Sequence, residues 1–169
     1  MQKNILLIGM PGCGKSSIGK ELASKLGLTF IDMDNYIEEK TNKKISEIFK
    51  DGEESFRDIE TFYSKELSKL NSTLISSGGG IVTRKENIDY FKQTSIIVFI
   101  NRSVENILKS KNLGKDRPLL KNNEEHIYNL YNNRIGLYKK YCDIEVSNNG
   151  YFKNCIENII KELNKKNVL

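Results

Sequence analysis

The stretch Gly9-Met10-Pro11-Gly12-Cys13-Gly14-Lys15-Ser16-Ser17 carries the densest chemistry in this 169-residue chain. Glycines at its first and sixth positions, followed by lysine and a hydroxyl, have the spacing of a loop that wraps phosphate. Glycine lets backbone N–H groups turn inward and approach an anion with no Cβ in the way. Gly12, Cys13, Gly14, Lys15, Ser16 and Ser17 are therefore the candidate phosphate-binding residues. Lys15 adds a full positive charge, and the Ser16 hydroxyl suits a hard cation such as Mg²⁺, which prefers oxygen. The loop is expected to be exposed. Cys13, beside Lys15 at a helix N-terminus, is expected to be a reactive thiol open to labelling.

Further chemistry follows later apolar runs. Asp32 and Asp34 come after the run LTFI (28–31). Helix capping accounts for most acids in such positions, but Asn35 with Glu38 three residues on can form a capping box, which frees both aspartates for a site. Gly78, Gly79 and Gly80 follow STLISS (72–77) and allow backbone to approach a ligand closely. Arg57 has Glu60 three residues on, and Arg134 lies on a long helical pattern. Taken singly, each arginine reads as a surface residue paired to a neighbouring acid. Arg117 sits in KNLGKDRPLLKNNEE (111–125), a polar stretch without periodicity that reads as a mobile loop able to close over a ligand.

These residues need a frame that brings them together. Apolar runs at 4–9, 28–31, 72–77, 95–100 and 143–146 alternate with amphipathic segments near 15–26, 35–40, 45–69, 84–92, 103–110, 123–140 and 151–165. Continuous apolar strands alternating with helices imply a parallel sheet covered on both faces, an α/β sandwich. Gly27 is the expected stop of the first helix. In such a fold ligands bind at the carboxyl ends of the strands, which is where the loop, the aspartates and the glycines fall.

Composition narrows the class. The length suits one domain, and no apolar run approaches membrane-spanning length. The three cysteines (Cys13, Cys142, Cys155) show neither paired nor metal-like spacing, so the expected setting is a reducing cytoplasm. The net charge of +5 comes from lysines scattered among glutamates, as in EEKTNKK and KELNKK, which reads as a solvated surface rather than a nucleic-acid footprint.

Read together and in order, GMPGCGKSS, DMD, FRDIE, SSGGG, DRPLL and RIGLYKKY resemble the shikimate kinases over essentially the whole chain. The resemblance implies a single α/β domain over 1–169, a three-layer sandwich with a five-stranded parallel sheet. This is the P-loop kinase fold, with acceptor-binding helices over about 32–69 and a mobile lid over about 111–123. It also implies transfer of the γ-phosphate of ATP to the 3-hydroxyl of shikimate, with Mg²⁺ as cofactor, by a cytoplasmic monomer that binds neither nucleic acid nor membrane. Carried across, Lys15, Asp32 and Arg117 are catalytic. Gly12, Cys13, Gly14, Lys15, Ser16, Ser17 and Arg117 bind ATP. Ser16 and Asp32 serve the metal, the latter through water. Asp34, Arg57, Gly79, Gly80 and Arg134 bind shikimate. Phe49 and Phe56 are either an apolar wall against the substrate ring or ordinary core, and Glu60 orients Arg57. Two rivals share the nucleotide half: a kinase of another small metabolite such as gluconate, and a non-catalytic ATP-binding module. The set of Arg57, Gly79, Gly80 and Arg134 argues against the first, and Asp32, Asp34 and Arg117 argue against the second.

Overall fold

The computed structural model describes residues 3–112 and 124–169; Arg117 and most of the segment expected to form a lid lie outside the described residues. Five strands, β1 (Asn4–Ile8), β2 (Thr29–Asp32), β3 (Thr73–Ser76), β4 (Ser95–Asn101) and β5 (Ile144–Ser147), form one parallel sheet in the order β2-β3-β1-β4-β5. β1 and β4 are the apolar interior, with every residue of β1 buried and all of β4 but its last. β5, at an edge, alternates buried with exposed residues because only one of its faces is fully covered.

The helices are α1 (Lys15–Leu26), α2 (Met33–Thr41), α3 (Ile45–Phe49), α4 (Glu53–Leu67), α5 (Lys85–Lys92), α6 (Val104–Asn112), α7 (Glu124–Tyr141) and α8 (Phe152–Lys165), with a short 3₁₀ turn at Ile81–Thr83. The strand order sends the connection β1→β2 one way along the sheet and the later connections the other way. Right-handed crossovers therefore place α1 on one face and the helices of the later connections on the opposite face. α8 packs beside α1, and α5 and α7 pack on β4. Where the winding reverses, the loops after β1 and β3 leave for opposite faces and open a crevice between them.

Gly27 ends α1 as expected, in the left-handed conformation with its N–H bonded to Ala23 O. Two local readings are corrected. The segment 45–69 is two helices, because Gly52, with φ 102°, turns the chain between α3 and α4. The cap of α2 is Asp32, whose carboxylate accepts the Asn35 N–H at 3.2 Å. Glu38 is drawn off instead to the Ile45 N–H, at 3.0 Å, which ties α2 to α3. The helices α2 to α4 fill the region expected to bind the acceptor.

Candidate active site

Two clefts at the carboxyl edge of the sheet adjoin each other. One, of about 380 Å³, is lined by the loop residues Gly12, Gly14, Lys15, Ser16 and Ser17 together with Asp32. The other, of about 350 Å³, is lined by Arg57, Glu60, Phe49, Phe56, Gly80 and Arg134. Pro11, Asp34, Gly78 and Gly79 line both, so they are the wall that the two compartments share.

The loop between β1 and α1 is shaped by its glycines. Gly14 caps α1 at φ 98°, a conformation side chains rarely adopt, and a Cβ there would lie 2.8 Å from Asn148 Nδ2. The loop is exposed at Pro11, Gly12, Ser16 and Ser17, as expected, but Lys15 is only 7% exposed. Its Nζ donates to Gly9 O at 2.8 Å and Met10 O at 2.9 Å, so the ammonium clamps the loop on itself while facing the cleft. Cys13 is corrected as well. It is fully buried, its Sγ lies 3.6 Å from Lys15 Nζ, and its N–H is bonded to Met10 O at 3.1 Å. A labelling reagent does not reach that thiol in this conformation, and among the described members of the ATP-binding set Cys13 alone does not line the cleft.

Asp32 and Ser16 meet across the loop. Ser16 Oγ donates to Asp32 Oδ2 at 2.6 Å and lies 3.2 Å from Ser76 Oγ, at the end of β3. Paired hydroxyl and carboxylate oxygens fit a hard cation that takes its remaining ligands from phosphate and water. Among the described residues no group of three or more His, Cys, Asp or Glu forms a metal cage.

Asp34, in the first turn of α2, has its carboxyl pushed above the usual aspartate range, first by burial and then by the charge of Asp32, with Lys15 and Arg57 opposing. Such a group stabilises the fold fully below its unfolded-state pKa, and that contribution is lost as the pH rises through the higher native value. Asp34→Asn is therefore expected to raise the melting temperature of the ligand-free, metal-free protein at neutral pH. The gain should shrink as the pH falls to the ordinary carboxylate range. Thermal melts across pH check this, and a lower melting temperature at neutral pH would show Asp34 to be a structural anchor.

Arg57 and Glu60 lie on the buried stripe of α4 rather than on a solvated face. Arg57 is 6% exposed and Glu60 1%. Arg57 Nη1 donates to Glu60 Oε1 at 2.8 Å, and Nη2 to the exposed Glu53 at 3.2 Å. Burial raises the Glu60 carboxyl, against the pull of Arg57. Two buried atoms of this pair, Arg57 Nε and Glu60 Oε2, have no hydrogen-bond partner. A buried donor and acceptor left open in a cleft are what a polar ligand would complete.

Gly80 is required because a Cβ there would fall on the Arg57 guanidinium, and a Cβ on Gly79 would come within 2.6 Å of the Pro11 ring. Phe49 and Phe56 stack with centroids 4.4 Å apart; Phe56 belongs to the core and Phe49 is 38% exposed, and both line the second cleft. The core alternative thus holds for Phe56, and Phe49 gives the cleft an exposed apolar surface. Arg134 joins them from α7, 77 residues along the chain from Arg57.

Several side chains shape this region through contacts the sequence does not announce, Tyr138 among them although it lies within RIGLYKKY. Asn148, after β5, donates to Cys13 O at 2.8 Å and holds the loop from behind. Tyr138 on α7 donates to Gly79 O at 2.6 Å. His126, Leu130 and Ile45 complete the wall of the second cleft. Each contact joins residues distant in sequence, where neither spacing nor periodicity could flag it.

The family model described as shikimate kinase matches residues 11–164. A shikimate kinase of Clostridium botulinum (strain Alaska E43 / Type E3) is 47% identical over 161 residues, 95% of this chain and 97% of its own length. Among solved structures, shikimate kinase from Acinetobacter baumannii in complex with shikimate superposes with a TM-score of 0.89. It is 33% identical, over 98% of this chain and 95% of that one. A gluconokinase from Sinorhizobium meliloti 1021 superposes with a TM-score of 0.68 at 13% identity, over 97% of this chain and 93% of that one, which is a likeness of fold alone.

Proposed function

The chain belongs to the shikimate kinase family, and from that premise we propose that it transfers the γ-phosphoryl group of ATP to the 3-hydroxyl of shikimate. It is a small-molecule kinase whose product feeds aromatic amino-acid synthesis. The observation that carries the acceptor assignment is the buried Arg57 guanidinium, with its free Nε, in a cleft that shares a wall with the phosphate loop. A carboxylate is the ligand that a buried guanidinium recognises best. The ring hydroxyls would then lie toward Asp34, on the shared wall.

Phosphoryl transfer asks mainly for positioning and for charge that meets the developing negative charge. The loop N–H groups, the N-terminus of α1 and Lys15 hold the β- and γ-phosphates. Ser16, and Asp32 through water, would hold Mg²⁺, which would supply charge neutralisation to the phosphates. Asp34, which lines both compartments, binds the acceptor's hydroxyls, with Asp32 near the attacking one. Arg57 and Arg134, with the Gly79 and Gly80 backbone, fix the far end of the acceptor, and Phe49 covers its ring. Arg117, outside the described residues, is assigned to the transferring phosphate by the family resemblance alone. The reading takes residues 1–169 as one domain acting as a cytoplasmic monomer. No helix among the described residues is long and apolar enough to cross a membrane.

A coupled assay of ADP release with shikimate, with gluconate and with no acceptor tests the function. Turnover is expected with shikimate alone; equal turnover with gluconate, or none with any acceptor, would overturn it. Asp32, which lines the phosphate compartment and not the acceptor compartment, should matter for turnover more than for acceptor binding. Asp32→Asn is expected to lower kcat by at least about tenfold while the shikimate Kd changes little. A steady-state and binding comparison checks the split, and the reverse pattern would move Asp32 to the acceptor.

A further inference from the structure

The Tyr138 hydroxyl is the feature of this region that no step above uses. Its ring is fully buried, stacked on Phe99 of β4 with centroids 5.0 Å apart and planes 22° from parallel, so the phenol is held firmly. The hydroxyl donates to a backbone carbonyl, Gly79 O, at 2.6 Å, and the Arg134 guanidinium approaches the hydroxyl oxygen. Burial, ahead of every other influence, pushes the phenol pKa up, with the guanidinium of Arg134 opposing, so the hydroxyl stays a donor throughout the working pH range.

The consequence lies on the other side of the same peptide. In a trans peptide the C=O of one residue and the N–H of the next point in opposite directions. No cis peptide occurs among the described residues. Fixing Gly79 O toward the buried Tyr138 ring therefore turns the Gly80 N–H away from the core. Neither the Gly79 nor the Gly80 N–H donates to any acceptor among the described residues, and Gly80 lies directly against the Arg57 guanidinium. An aligned, unused N–H beside a buried guanidinium is half of an anion cradle.

We propose that Tyr138 is a positioning residue for the acceptor: by holding Gly79 O it aims the Gly80 N–H at the carboxylate that Arg57 and Arg134 bind. Tyr138 sits one turn beyond Arg134 on the same face of α7. Arg134 and the backbone donor are thereby both set by α7, while Arg57 comes from α4. The assignment rests on the proposed shikimate kinase activity and names a device within its acceptor site.

Tyr138→Phe keeps the ring and its stack on Phe99 and removes only the hydroxyl. The KM for shikimate is expected to rise about 5- to 10-fold, the scale of one net hydrogen bond. The change should fall on KM, with kcat and the KM for ATP moving less than about twofold. An analogue in which the carboxylate is replaced by a hydroxymethyl group should bind wild type and variant equally, because the aimed N–H then has no anion to meet. An equal loss for analogue and shikimate, or no loss for shikimate, would overturn the assignment. Should the variant fail to fold, the ¹⁵N-labelled wild type decides. The Gly80 amide resonance is expected to shift on adding shikimate and not the analogue, and the absence of a shikimate-specific shift would overturn the assignment. If wild type shows no shikimate-dependent ADP release at all, the activity itself has failed, which is a different result from either of these.

Discussion

Lys15→Ala is expected to lower kcat by about 10²- to 10³-fold, the effect of removing one preorganised donor from a developing oxyanion. The structure adds a second cost. Because Lys15 Nζ bonds Gly9 O and Met10 O, the alanine variant leaves Gly9 O without its donor and Met10 O with the Cys13 N–H alone, and so loosens the loop before ATP arrives. ATP affinity should therefore fall together with kcat, whereas loss of transition-state charge alone would lower kcat and spare binding. The sheet is untouched, so far-ultraviolet circular dichroism should stay that of the wild type. Steady-state kinetics with a nucleotide titration separates the two effects. A variant with near-normal kcat would remove Lys15 from the chemistry and leave it as a brace of the loop.

Arg57→Ala is expected to weaken shikimate binding by about 2 to 5 kcal/mol, since it removes a charge-assisted partner from a desolvated carboxylate. ATP affinity should not change. Burial complicates the experiment in a definite way. Glu60 is 1% exposed and loses its cation in this variant, so the protein should also be markedly less stable. Combining Arg57→Ala with Glu60→Gln removes the stranded charge. The double variant should regain much of the melting temperature and none of the acceptor affinity. The hydroxymethyl analogue closes the cycle: it should bind wild type weakly and lose little more on Arg57→Ala, because the contact is already gone. If shikimate and analogue lose affinity equally, Arg57 supports the fold through Glu60 and binds no carboxylate.

The contrast between Lys15 and Arg57 shows which kinds of residue sequence reasoning reaches. The phosphate loop is legible because its parts are consecutive: the glycines that turn the backbone, the lysine and the helix they feed lie within a few residues, and local geometry follows from local spacing. Arg57 taken alone looked like a solvated helix arginine, since its i+3 pairing to Glu60 is the same on a surface as in a core. What told otherwise was the order of six short motifs along the chain, which carried the family and, through it, the roles. The break at Gly52 was readable from Asp51-Gly52 followed by two glutamates, a turn dipeptide ahead of a negatively charged helix start, but the apolar period runs on across it. The cap of α2 was not readable. Asp32 and Asn35 offer the same three-residue spacing as Asn35 and Glu38, and the choice was made by Ile45, whose N–H takes Glu38 from outside the helix.

By itself, then, the sequence determined the parallel α/β architecture, the phosphate loop with its lysine and serine, and membership of a kinase family, because strand burial, helix period and contiguous motifs are properties of neighbouring residues. Only the tertiary structure decided that Lys15 and Cys13 are buried, that Arg57 and Glu60 form an interior pair with one open donor and one open acceptor, and that Asp34 stands on the wall between two compartments. Only there, too, do Tyr138 and Asn148 reach Gly79 and Cys13, across 59 and 135 residues of chain. The physical reason is the same for each. Burial and the hydrogen bonds it compels are set by which elements the sheet order brings together, and a side chain's own sequence neighbourhood holds no record of what will be packed against it.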